Sequence, residues 1–223
     1  MERINSFCTV AIASANTIPA DVPSVISSLP FGEKEKERLL GKKNPQSQAE
    51  SLCALICLEK LLKSVGLDKS FADMSIMREE SGKPHFNDLP LFFSITHSRA
   101  LCAVALSNRP VGIDLEFIDQ RRNFLDISKR FFSSEECIAI HNSTSVAKDF
   151  FALWTKKEAL SKLNGKGLAS ICADTLAPSD NYCFKEYSID FEGEAAYMAL
   201  CFDGEVDTVS IHNPYKELKI YEI

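Results

Sequence analysis

No apolar run in this 223-residue sequence approaches the ~20 residues that a membrane-spanning helix requires. Nor does any Cys-x-x-Cys pair occur among its eight cysteines: Cys8, Cys53, Cys57, Cys102, Cys137, Cys172, Cys183 and Cys201. Cys53 and Cys57 share a helix face, but without a neighbouring His or a second pair they make a poor zinc site. A chain with this much apolar residue needs no disulfide framework, so free thiols in a reducing cytoplasm are the reading. Net positive charge is missing too, and the balance of −6 argues against a dedicated nucleic-acid binder. There is no low-complexity linker, no short-period repeat, no Ser-His-Asp order and no Gly-x-Ser-x-Gly elbow to support a hydrolase. The apolar-leaning stretch Phe7 to Ala15 is short for a signal core, and Arg3 before it is offset by Glu2. It reads as a first strand.

What is present is enough apolar residue, 45%, to bury one large core or two small ones. The pattern echoes between halves. Ala49 to Val65 carries an apolar stripe at Leu52, Leu55, Leu58, Leu62 and Val65, with Gly66 as a stop signal. Lys148 to Leu163 repeats this with Phe150, Leu153, Leu160 and Leu163, and Gly165 follows. Strand-like segments come after each helix: 91–96, 101–107 and 111–117 in the first half, 182–191, 195–202 and 205–212 in the second. The expectation is an α+β fold of two pseudo-symmetric halves, 1–117 and 118–223, each a helix packed on a small antiparallel sheet. The active site is expected at the seam between them.

Three places break the rule of apolar inside and charge outside. In Val111-Gly112-Ile113-Asp114-Leu115-Glu116, alternation puts both carboxyl groups on one strand face, where they repel unless a cation lies between them. A solvated strand face explains the pair equally well. In Trp154-Thr155-Lys156-Lys157-Glu158-Ala159-Leu160-Ser161-Lys162, ~100° per residue aligns Trp154, Glu158 and Lys162, and leaves Lys157 at the margin of the apolar arc. An ordinary helix ion pair beside a core Trp is the plain alternative. Thr96-His97-Ser98-Arg99 ends a strand with many donors for an anion. The basic stretches 34–43 and 156–166 are solvated helix faces by default, though an anionic small molecule would use both.

Taken in order, these segments form a series. It runs Gly82-Lys83-Pro84, Phe93-x-Ile95-x-His97-Ser98, Gly112-Ile113-Asp114-Leu115-Glu116, Arg130-Phe131-Phe132-Ser133-x-x-Glu136 and Trp154-x-x-Lys157-Glu158-Ala159-x-x-Lys162, closing on Gly165-x-Gly167-Leu168. The series closely resembles the 4'-phosphopantetheinyl transferase family, in its larger pseudo-dimeric (Sfp-type) branch. That resemblance implies an enzyme of the holo-acyl-carrier-protein synthase type, moving the phosphopantetheine arm of coenzyme A onto a serine of an apo acyl, peptidyl or aryl carrier protein. It implies Asp114, Glu116 and Glu158 as Mg²⁺ ligands, and Lys83, Pro84, Thr96, His97 and Ser98 as coenzyme contacts. Lys157 and Lys162 would face the pyrophosphate beside Glu158 as the catalytic set. Glu136 would be a further acid, and Trp154 would pack the catalytic helix on the sheet. Fatty-acid, polyketide or nonribosomal-peptide synthesis in the cytoplasm is the implied setting. A monomer is implied, with neither membrane nor nucleic acid as partner. Glu50 stands where the family often has an arginine for the coenzyme's 3'-phosphate, with Lys42 or Lys43 as substitutes. Three rivals stand beside this reading: an inactive carrier-binding relative, a different metal-dependent phosphate-cleaving enzyme, and a plain interaction module. The inactive relative should lack a metal carboxylate or the Lys-Glu pair, and both are present.

Overall fold

The computed structural model describes residues 5–167, 181–215 and 218–223, so Glu2, Arg3, Leu168 and Cys172 lie outside the described residues. The elements run β1 (Phe7–Ser14), α1 (Val22–Ser28), α2 (Glu33–Leu40), α3 (Pro45–Ser64), β2 (Ile76–Arg78), β3 (Pro84–Phe86), β4 (Phe92–Ser98), β5 (Leu101–Ser107) and β6 (Val111–Phe117). The chain continues through α4 (Phe124–Phe131), α5 (Ser134–His141), α6 (Val146–Asn164), β7 (Tyr182–Phe191), β8 (Glu194–Asp203), β9 (Thr208–His212) and β10 (Leu218–Glu222). The fold is α+β, with two four-stranded sheets in the orders β4-β5-β1-β9 and β10-β7-β8-β6, and a small β2-β3 hairpin.

Each large sheet carries one long helix. Asn44 starts α3 by accepting a hydrogen bond from the Gln46 amide, and Pro45 sits where its missing N–H costs nothing. The helix then buries Leu52, Leu55, Leu58, Leu61 and Leu62 against β1 and β5. On the other side of the molecule α6 lies on β6 and β8, and ends at Gly165 in the left-handed region (φ 67°). The two sheets face each other through Val10, Ile12, Ala103, Ile113, Leu115, Met198 and Leu200. The α4–α5 pair closes over the outer flank of α6 with Phe132, Phe150 and Phe151.

The halves exchange edges. β6 precedes position 118, yet its backbone partner is β8 of the second sheet. β9 comes from the later half and pairs in parallel with β1 of the first sheet, so that sheet is mixed. Alternation alone carries no information about which neighbour a strand selects.

Candidate active site at the seam

β4 is an edge of the first sheet and β6 an edge of the second, and the two edges meet through side chains. Ser94, Thr96 and Ser98 occupy one face of β4. The Ile113 amide donates to Ser94 Oγ (3.1 Å), Thr96 Oγ1 donates to Asp114 Oδ1 (3.0 Å), and Ser98 Oγ donates to Glu116 Oε2 (3.2 Å). The hydroxyls of Thr96 and Ser98 therefore hold carboxylates, while His97 points from the opposite face. Period-two alternation is the reason: His97 shares the other face with Phe93 and Ile95, which pack towards α3.

Gly112 sets how close α6 comes. A Cβ at this position would stand 1.9 Å from the Ala159 carbonyl oxygen and 2.6 Å from the Leu163 amide nitrogen. Only a residue without a side chain lets the helix backbone rest on β6. Asp114 follows on the same face, so the α6 stripe falls directly on the acids. Lys162 Nζ lies 2.7 Å from Asp114 Oδ1. Glu158, one turn earlier, is pushed up to about 7, first by burial and then by the charge of Asp114, against the pull of Lys162. Glu116 is likewise held above the usual carboxylate range by burial and by Asp114.

Among the described residues, no three His, Cys, Asp or Glu side chains are spaced to hold one metal ion between them. The donor set still fits a hard cation. Asp114 is 4% exposed, and its Oδ2 is buried with no partner among the described residues. An oxygen in that state is costly unless a positive charge or a donor reaches it. Glu116 and Glu158, both held above the usual carboxylate range, are acids whose ionised form such a charge would favour.

His97 Nδ1 lies 3.2 Å from Glu50 Oε2, near the start of α3. Burial lowers the imidazole's affinity for a proton, and Glu50 pulls the other way. Lys83 Nζ donates to the Leu163 carbonyl (2.6 Å), which ties the β2–β3 hairpin to the end of α6 one residue past Lys162. Pro84 and Lys83 border a hollow of about 290 Å³ with Glu79, His85 and Phe86.

Lys157 is placed on the other side of α6 from Asp114. Its side chain is 0% exposed, and Nζ lies 2.7 Å from Glu136 Oε2, 3.3 Å from the Phe131 carbonyl oxygen and 5.4 Å from the Phe132 ring centre. One step of ~100° from Glu158 turns it away from Asp114 and into the α4–α5 bracket. Glu136 is thus its counter-ion, and also caps α5 by accepting from the Ser133 amide (2.8 Å). The Ser133-x-x-Glu136 spacing signals such a capping box, and it was the available clue. Trp154 makes the same point. It stacks on Phe150 and meets Phe131 edge-on, in a cluster that joins α6 to the α4–α5 pair and to Tyr197 of β8. Of the residues marked in the sequence, the seam gathers Asp114, Glu116, Glu158, Lys162, Thr96, Ser98 and His97. Glu136 and Lys157 stand behind α6, and Lys83 and Pro84 at its end. Gly112 and Glu50 gain weight that their sequence context did not give them.

A family model for the 4'-phosphopantetheinyl transferase superfamily matches residues 110–202, a span that includes Asp114, Glu116, Glu136, Lys157, Glu158 and Lys162. The chain is 33% identical over 161 residues to the 4'-phosphopantetheinyl transferase Sfp of Bacillus subtilis, covering 63% of this chain and 68% of that protein. It is 33% identical over 155 residues to the 4'-phosphopantetheinyl transferase gsp of Aneurinibacillus migulanus, covering 69% of this chain and 63% of that one. With the 4'-phosphopantetheinyl transferase HetI of Nostoc sp. it shares 37% identity over 101 residues, 42% of each chain. Identity of 33% to a relative of which the chain covers 68%, together with the family-model match, shows that this chain belongs to the 4'-phosphopantetheinyl transferase superfamily.

Proposed function

We propose that this protein transfers the 4'-phosphopantetheine group of coenzyme A to a serine of an apo carrier protein and releases 3',5'-ADP. The observation that carries the reading is the meeting of Asp114, Glu116, Glu158 and Lys162 at the seam of the two sheets. In the reaction a bond forms between the serine oxygen and the β-phosphorus, and the bond from that phosphorus to the bridging oxygen breaks. Negative charge then grows on the departing 3',5'-ADP, and the hydroxyl proton must leave.

Each residue has a task in that balance. Asp114, Glu116 and Glu158 would hold Mg²⁺, which when bound supplies charge neutralisation at the pyrophosphate. Lys162 brings an ammonium to the same place and stabilises the departing oxygen. A carboxylate of the set, directly or through water, accepts the serine proton. Thr96 and Ser98 hold Asp114 and Glu116 in place by their hydroxyls, and His97 meets the phosphates. Lys83 and Pro84 line the side that takes the adenosine end. Lys157 and Glu136 act at one remove, by fixing α6 against the bracket that supports it. The division into a half of coenzyme motifs and metal strand (1–117) and a half of catalytic helix and hairpins (118–223) belongs to the same proposal. So do the cytoplasmic setting and the monomeric state. Among the described residues no helix is long and apolar enough to cross a membrane.

The test is to mix the protein with coenzyme A, Mg²⁺ and a panel of apo carriers from fatty-acid, polyketide and nonribosomal-peptide systems. A gain of one phosphopantetheine on the carrier serine, seen by intact-protein mass spectrometry, is the expected result. Cleavage of coenzyme A with no carrier present would instead support a phosphate-cleaving enzyme.

A further inference from the structure

A carboxylate on the buried face of α3 needs a reason. Glu50 is 8% exposed and sits on a helix whose other buried positions include Leu52, Cys53 and Leu55. Leaving such a group without partners would be costly. It has two. Its Oε1 accepts from Gln46 Nε2 (3.2 Å), one turn back, and its Oε2 lies 3.2 Å from His97 Nδ1. The imidazole is delivered to this face by the alternation of β4, and its side chain remains 44% exposed.

We infer that Glu50 is a positioning residue: it holds the His97 ring by Nδ1 and so makes Nε2 the nitrogen offered to an incoming phosphate. The inference rests on His97 serving the coenzyme, as proposed above. Geometry supplies the reasoning. When Nδ1–H donates to a carboxylate, the tautomer and the ring plane are fixed together. A carboxylate on that flank also repels any second anion, so a phosphate can approach only from the open side. Lys42 and Lys162 also act on His97, against the carboxylates of Glu50 and Asp114. Glu50 on one nitrogen and phosphate on the other are both acceptors, so the ring takes up a proton at Nε2 as the phosphate arrives and bridges them as the imidazolium. This assigns an orienting task to a carboxylate that otherwise reads as a misplaced charge.

The experiment compares Glu50→Ala, Glu50→Gln, His97→Ala and the double variant His97→Ala with Glu50→Ala. Coenzyme A binding is followed by calorimetry, transfer by steady-state kinetics, and the ring tautomer by ¹⁵N spectra of the imidazole. Glu50→Ala should raise KM for coenzyme A about 10-fold with kcat nearly unchanged, as loss of an orienting partner does. Glu50→Gln should restore most of that, because its amide oxygen still accepts from Nδ1–H and its shape keeps the helix packed. The double variant should bind no worse than His97→Ala alone. Additive losses, or a ring tautomer unchanged in Glu50→Ala, would overturn the inference. If His97→Ala leaves coenzyme binding intact, it is the coenzyme reading of His97 that fails, and the tautomer spectra still decide whether Glu50 fixes the ring.

Discussion

The two long helices do the same architectural job with different material. Past its first turns α3 presents an almost wholly apolar face, Leu52 through Leu62, to its sheet, and its buried acid Glu50 sits near the start. The buried face of α6 includes Thr155, Lys157 and Ser161 in mid-helix, and each needs a partner in a fixed place. Thr155 donates back to the Phe151 carbonyl, Lys157 has Glu136, and the neighbouring Lys162 has Asp114. The first helix is held by area, which tolerates small shifts. The second is held by geometry, which does not. A helix that must place an ammonium and a carboxylate over two strand acids has to be located by contacts that fail when displaced.

Breaking Lys157 should have the largest effect. Lys157→Met leaves Glu136 buried without its counter-ion and should lower stability by about 4 kcal/mol in urea unfolding. Adding Glu136→Gln should recover part of that loss. If the double variant is worse than the single one, the pair does not hold the bracket. Next comes Gly112→Ala, which puts a methyl group into the α6 backbone. It should cost about 3 kcal/mol and lower transfer as well, because the helix must lift from β6. A normal melting temperature here would show that the two elements can slide. Lys162→Ala is the cleanest probe of chemistry. It should lower kcat ~100-fold, about 2.7 kcal/mol, with a smaller loss in unfolding than Lys157→Met because Asp114 keeps the Thr96 hydroxyl as a partner. Parallel loss of stability and turnover would return Lys162 to a structural role. The smallest effect should be that of Lys83→Ala, which removes one charged donor from the end of α6 and should cost about 1 kcal/mol in thermal unfolding.

Much of this was readable in the sequence where the cause was local. β5, β6 and β7 begin and end where alternation put them, and α6 extends its stripe by only a few residues. Asp114 and Glu116 share a face because a strand has period two, whatever it pairs with. What escaped depended on distant neighbours. A strand within 205–212 could be seen, though it starts only at Thr208, but its place beside β1 could not, since backbone hydrogen bonding is blind to sequence. Lys157 was visible as an ammonium on an apolar margin. Its turning towards Glu136 required knowing that α4 and α5 close over that side. The short α1 and α2, and β2, β3 and β10, carry too few residues for a period to show.

The parallel pairing of β9 with β1 has a consequence for how the molecule is made. Ser6 and Asp207 clasp each other beside this pairing: the Ser6 amide and hydroxyl both donate to Asp207 Oδ2 at 2.7 Å, across 201 positions of chain. During synthesis β1 must therefore wait across some 201 positions of chain for its second neighbour. Until then one side of it is an unpaired strand edge, which invites pairing with other nascent chains. The first sheet, with His97 on its opposite edge strand, is completed only when β9 has been made. Yield of folded protein should thus respond to slower translation or lower growth temperature more strongly than its stability, once folded, would lead one to expect.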